Sequence, residues 1–253
     1  MAGHTSAPGA TVTSRALALL GAFDADHRRL TLSELARRAD LPLATAHRLV
    51  GELVDWGALA RTPAGDYVVG RRIWDLGLLA PVQTGLRHLA SPYLHDLYGA
   101  TLATVHLAVR DGTEVLYLDR LSGTVSVPIV STIGSRLPMH ATGVGKVLLA
   151  HAPAEVQEEV LAHLTRVTPY TITQPGLLRR QLARVLRDDY ATTVEEMSLG
   201  GCSVAVPVRV GPEVVAALGM VVPSLGRDRT RRVGALQVAA HGIGRALAAG
   251  RTG

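Results

Sequence analysis

Gly143-Val144-Gly145-Lys146 has the outline of a phosphate loop, in which backbone N–H groups cradle phosphate and a lysine reaches its oxygens. The full pattern needs glycine five residues before Gly145 and Ser or Thr after the lysine, where His140 and Val147 stand instead. Nucleotide binding by that route is excluded. His106, His140 and Cys202 are residue types that ligate zinc, but their separations have no ligand spacing, and packing or one hydrogen bond accounts for each. The adjacent carboxylates Glu195-Glu196 invite acid–base chemistry, yet neighbours on a strand face opposite ways. One of them is expected to cap or brace a loop. No Ser-His-Asp order, zinc motif or dinucleotide fingerprint accompanies them. No catalytic residue, metal or cofactor is expected, and the chain does not read as an enzyme.

Recognition of DNA is the chemistry with better support. The segment Leu43–Trp56 buries Ala46, Leu49, Val50 and Leu53 at helical spacing and turns Ala44, Thr45, His47 and Arg48 outward. A major groove accepts one such helix, and its outer face reads base edges. Arg48 suits a phosphate or a bidentate contact to guanine, Ala44 and Thr45 suit a thymine methyl, and His47 suits either task. The competing reading pairs Arg48 with Glu52 one turn later on a solvated face. Arg61 would reach a phosphate or the minor groove, or stay a solvated charge. Arg37 and Arg38 close the preceding helix, where a cation favours the C-terminus anyway.

The elements that hold this face follow from local signals. Ala16, Leu17, Leu19, Leu20 and Phe23 have helical spacing, and Thr31-Leu32-Ser33-Glu34 is a capping box for a second helix. That helix must stop near Asp40 because Leu41-Pro42 follows, and Pro42 suits the first turn of the third. Gly57 ends the third helix. Leu59–Arg61 and Tyr67–Val69 flank Pro63-Ala64-Gly65-Asp66 as a hairpin. Three helices and a hairpin in this order are a winged helix-turn-helix over residues 13–70, after a disordered lead-in at 1–12.

A linker helix follows at 71–84, with Ile73, Trp74, Leu76 and Leu79. Beyond it, Leu102–Val109 and Glu114–Leu121 form one hairpin, and Ser203–Val208 with Val214–Val222 form another. Helices are expected at His140–Ala150, within Glu155–Leu164, within Leu177–Arg187, and at Asp228–Ala249. Residues 85–253 therefore read as one α+β domain.

Bulk composition excludes more than it proves. Of the 253 residues 47% are hydrophobic and 19% charged, ample for a core and unlike a disordered chain. The net charge is +5, but residues 1–80 carry nine arginines against eight acids, so charge alone marks no DNA binder. Lys146 is the only lysine and Cys202 the only cysteine, which rules out an internal disulfide. No apolar run reaches the length of a membrane span and the first ten residues have no signal pattern. A cytoplasmic protein without a membrane partner is expected.

With these motifs in place the chain resembles the IclR family of bacterial regulators over nearly everything after residue 14. The resemblance rests on Thr31-Leu32-Ser33-Glu34-Leu35-Ala36, Leu41-Pro42, His47-Arg48-Leu49 and Tyr67-Val68-Val69-Gly70 at the N-terminal end. Further on it rests on Val105-His106-Leu107-Ala108-Val109, the run from Leu137-Pro138-Met139-His140 to Gly145-Lys146-Val147-Leu148-Leu149-Ala150, Glu195-Glu196-Met197-Ser198-Leu199-Gly200 and Ala205-Val206-Pro207-Val208. All occur in family order.

The resemblance implies a winged helix-turn-helix joined by the linker helix to a larger, GAF-like effector-binding domain. It implies that Gly143 and Val144 open a helix whose free N–H groups face a pocket, with Met139, Thr193, Ser203, Gly219 and Val221 lining it. A small carboxylic acid is the implied effector. Ser203 stands where the family often has cysteine, and Gly219 and Val221 replace serines of some members. These changes imply a roomier, less polar pocket suited to a bulkier acid, aromatic ones included. The function implied is a transcription regulator, dimeric or tetrameric, on a pseudo-palindromic double-stranded DNA operator. Two other readings stay open at this point: a metabolite-binding or enzymatic module with accessory helices, and a scaffold whose winged helix serves protein contacts.

Overall fold

The computed structural model describes residues 11–24, 26–79, 84–122 and 130–250. The chain divides into two compact units, Met1–Val82 and Gln83–Gly253. Most of the expected lead-in lies outside the described residues, and its last residue is already helical. Helix α1 (Val12–Leu20) starts at Val12, with Thr11 Oγ1 accepting from the Ser14 N–H.

In the first unit the capping box forms as its residues dictate. The Glu34 N–H donates to Thr31 Oγ1 at 3.3 Å, and the Thr31 N–H donates to Glu34 Oε2 at 2.8 Å, opening α2 (Leu32–Arg38). Asp40 then turns left-handed at φ 52°, while its N–H reaches Arg37 O and the Leu41 N–H reaches Ala36 O. This pair of bonds is a Schellman stop, and it makes the turn into α3 (Leu43–Trp56) tight. Pro42 stands at the N-cap of α3, one position ahead of its first turn. Gly57, at φ 84°, ends the helix. Strands β1 (Leu59–Arg61) and β2 (Tyr67–Val69) pair antiparallel, with Leu59 opposite Val69. Leu19, Leu35, Ala46, Leu49, Val50 and Leu59 close the small core. Helix α4 (Arg71–Leu79) follows the hairpin and leaves Trp74 61% and Leu76 47% exposed.

The second unit runs α5 (Thr84–Thr101), β3 (Thr104–Asp111), β4 (Glu114–Leu121), β5 (Arg136–Pro138), a 3₁₀ turn (Met139–Ala141), α6 (Gly143–Ala150), α7 (Ala154–Ala162), α8 (Pro175–Asp188), β6 (Ala191–Val194), β7 (Cys202–Val210), β8 (Glu213–Val222) and α9 (Arg229–Gly250). The six strands form one antiparallel sheet in the order β5-β4-β3-β8-β7-β6. Both expected hairpins are present, joined through β3 and β8. The expected helix from His140 is divided, because Thr142 is extended and caps α6. Leu107, Val204, Val206, Leu218 and Met220 face α5 and α9 in one core cluster. Ala108, Val115, Ala205 and Ala217 face the layer of α6, α7 and α8 in the other. Alternation along the strands produces this division, since successive side chains point to opposite faces.

Candidate functional site

The register of the sheet brings distant residues into rows. Thr104 lies opposite Val221, Val221 opposite Ser203, and Ser203 opposite Thr193. The next row on the same face is His106, Gly219, Ala205 and Ala191. Small residues in these rows leave room above the sheet, and α6 points its N-terminus at it. A cavity of about 50 Å³ results, room for only a few waters. Gly143, Val144, Thr193, Ser203, Gly219 and Val221 all line it.

Met139 does not. Its side chain is fully buried in the core under α6, because the 3₁₀ turn rolls it away from the sheet's open row. The expectation of extra room at Gly219 also needs correction. A Cβ on Gly219 would come within 2.7 Å of Val144 Cγ1, so Val144 already occupies the space that a missing side chain would leave. Gly143 is required for a similar reason. A Cβ there would stand 2.5 Å from Ser203 Oγ, so any other residue would force that hydroxyl to turn away from its place on the cavity floor.

The polar groups around the cavity are few and well defined. Thr142 Oγ1 accepts from the Gly145 N–H and Thr142 O from the Lys146 N–H. Gly143 and Val144 stand in the first turn of α6, with no helical carbonyl four residues behind them, so their N–H groups are left for whatever fills the cavity. On the floor, Thr193 Oγ1 and Ser203 Oγ share a hydrogen bond of 2.6 Å. His106 Nε2 and Ser131 Oγ share another of 2.9 Å. Burial, reinforced by the charge of Arg120, pushes His106 down to about 3, so its imidazole is neutral at ordinary pH. Tyr117 meets that ring edge-on at 5.1 Å, and burial pushes its phenol up, keeping it protonated. Among the described residues no Asp, Glu, Lys or Arg lines the cavity.

His106, Tyr117, Ser131, Met197 and Ser198 line the cavity without having been singled out as pocket residues from the sequence. For His106 the signal was present. Its period-2 relation to Thr104 and Ala108 puts it on the small-residue face. The three residues weighed as a metal set are not gathered: His140 Nε2 bonds Thr165 O at 2.9 Å and Cys202 Sγ points to Pro223 O. Among the described residues no group of His, Cys, Asp and Glu is placed to hold a metal. Of the two adjacent glutamates, Glu195 braces its own loop by accepting from the Gly200 N–H at 2.6 Å. Glu196 turns inward to Lys146 at 2.6 and 2.7 Å.

In the first unit, Ala44, His47 and Arg48 are exposed and Thr45 half-buried on one side of α3. Arg48 Nη1 meets Glu52 Oε1, the intrahelical pair that competes with DNA contact. Both partners are largely exposed, and such a pair contributes only ~0.3–0.5 kcal/mol, little for a phosphate or base to displace. Arg61 is exposed on the wing, over the Tyr67 ring at 5.9 Å, with its Nε donating to Gly65 O. Arg38 is structural: its Nε donates to Ala22 O at 2.7 Å and it pairs with Asp24.

Comparison with known proteins agrees with both units. Residues 12–63 match the IclR helix-turn-helix domain, and residues 80–245 match the bacterial transcriptional regulator IclR C-terminal domain. The chain is similar to a crystal structure of an IclR homolog from Microbacterium hydrocarbonoxydans complexed with 4-hydroxybenzoate. That likeness has a TM-score of 0.90 and 38% identity, covering 94% of this chain and all of that one. It is 32% identical to the p-hydroxybenzoate hydroxylase transcriptional activator of Acinetobacter baylyi, covering 87% of this chain and 82% of that protein. It is also 32% identical to the regulator XynR of Escherichia coli, over 81% of this chain and 83% of that one. The chain belongs to the IclR family of bacterial transcriptional regulators, with a DNA-binding helix-turn-helix ahead of an effector-binding domain.

Proposed function

We propose that the effector is a single-ring aromatic monocarboxylate of the 4-hydroxybenzoate kind, bound in the cavity between α6 and the sheet. The observation that carries this reading is that the first turn of α6, at Gly143 and Val144, lines a cavity with no charged side chain among the described residues, and a first turn leaves its N–H groups without helical acceptors. A helix N-terminus holds a carboxylate without a counter-cation. The Thr193–Ser203 hydroxyl pair, one proton of which joins the two, supplies one further donor, and His106 and Tyr117 supply aromatic wall. A ring needs more room than about 50 Å³; benzene fills a cavity on the order of 150 Å³. Binding must therefore push a wall back, starting with Val144 over Gly219. A wall that moves with the ligand is what lets an effector shift populations elsewhere. Thermal shift and calorimetry with 4-hydroxybenzoate, benzoate and pyruvate test the reading. The ring acids should raise the melting temperature and pyruvate should not; stabilisation by pyruvate alone would contradict it.

On DNA, the reading assigns base and phosphate contacts to Ala44, Thr45, His47 and Arg48 of α3, with Arg61 at the wing. It assigns a two-fold dimer, or a tetramer of such dimers, to a pseudo-palindromic operator. The exposed Trp74 and Leu76 of α4 support self-association, since pairing would remove them from water. The sites of action are cytoplasmic, as for a protein that must reach the chromosome; among the described residues no helix is long and apolar enough to cross a membrane.

A further inference from the structure

We infer that the buried pair Lys146–Glu196 positions one wall of the effector cavity and sets how long the effector stays bound. Lys146 is the only lysine in the chain, and its side chain is 1% exposed against 7% for Glu196. All three of its ammonium protons are used: Nζ lies 2.6 and 2.7 Å from the two Glu196 oxygens and 2.6 Å from Gln181 Oε1. One side chain thus joins α6, α8 and the loop after β6. Burial pushes the Lys146 ammonium down and the Glu196 carboxyl up, and their mutual attraction opposes both shifts.

The loop joined in this way is the cavity wall. Met197, Ser198 and Gly201 line the cavity on one side of the pair, and Gly143 and Val144 line it from the helix that carries Lys146. The backbone around Glu196 is pinned as well. The Thr168 hydroxyl donates to Glu195 O and the Thr171 hydroxyl to Glu196 O, each at 2.7 Å. Glu195 holds a left-handed φ of 54°, and its N–H donates to Gly201 O across the loop.

Neither Glu196 nor Lys146 lines the cavity. A buried pair costs desolvation and often contributes no net stability compared with apolar residues of like volume. Its use here is directional. It holds the loop in register with the start of α6 while Val144 gives way to the ligand. Without it the bound effector keeps its carboxylate site but loses a fixed wall, which appears chiefly in the dissociation rate.

The inference rests on the effector reading above, and the test separates the two. Lys146→Met with Glu196→Leu replaces the pair by apolar side chains and should fold with a melting temperature near that of the parent. Glu196→Gln is the milder second variant. Two measurements are made on full-length protein. Amide exchange in the ligand-free state should speed up by about tenfold or more at residues 197–201 in both variants, with β3 and α9 unchanged. Stopped-flow release of 4-hydroxybenzoate should be about tenfold faster or more, with operator binding by the free protein retained. A role in stability alone predicts that the double variant recovers both properties. Parent-like loop exchange in a folded double variant, or parent-like release, overturns the inference. If the parent itself does not bind 4-hydroxybenzoate, the effector reading fails and loop exchange alone decides this one.

Discussion

Arg48 and His106 show how much a single side chain's setting decides. Arg48 is paired to Glu52 on an open helix face, so its worth lies in what it meets when DNA arrives. Arg48→Ala should leave the fold intact and cost about 1–3 kcal/mol of operator affinity if it grips a guanine. If it meets only phosphate, the loss should be uniform across sequences, with the salt slope falling by about one unit. Anisotropy with operator and scrambled duplexes separates these, and no loss with either would remove Arg48 from the interface. His106 is the reverse case, buried and neutral with its ring held at about 3 instead of 6.5. As pH falls below about 6.5 the unfolded chain takes up a proton that the folded one refuses, so stability declines down to about pH 3. His140 is shifted in the same direction and shares that decline. His106→Gln should therefore flatten part of the acid limb in urea melts between pH 6.5 and 4, roughly one residue's share. An unchanged limb would mean that His106 is not held neutral.

At the scale of elements, what the sequence made legible was local. The Thr31–Glu34 box, the stop at Asp40, Gly57 and the hairpin from Leu59 to Val69 are contacts within ten residues, and each formed as its residue types require. The pairing of β3 with β8 and the short strands β5 and β6 were not legible, because partners far apart in the chain leave no periodic mark. The Lys146–Glu196 pair spans fifty residues and escaped for that reason. All seven residues assigned to the cavity came from resemblance; six of them stand around it, and Met139 is instead buried in the core under α6. Gly219 shows a different limit: a missing side chain is not an empty space. Val144 fills it, so Gly219→Leu should overpack the α6–sheet contact and cost about 1–3 kcal/mol of stability as well as block the cavity. Chemical denaturation checks this, and a fully stable Gly219→Leu protein would show that Val144 moves aside freely.

For the whole molecule, an effector held in the second unit is expected to govern how tightly the helix-turn-helix of the first unit binds its operator. Coupling of this kind typically amounts to about 1–3 kcal/mol, or roughly 5–150-fold in affinity. The direct measurement is fluorescence anisotropy of a labelled duplex from the region upstream of the protein's own coding sequence, titrated with full-length protein with and without saturating 4-hydroxybenzoate. The account predicts salt-dependent binding that an unrelated duplex competes for poorly, and a change in apparent Kd of about fivefold or more when the acid is present. Binding that an unrelated duplex matches, or a Kd that no aromatic monocarboxylate moves, would contradict it.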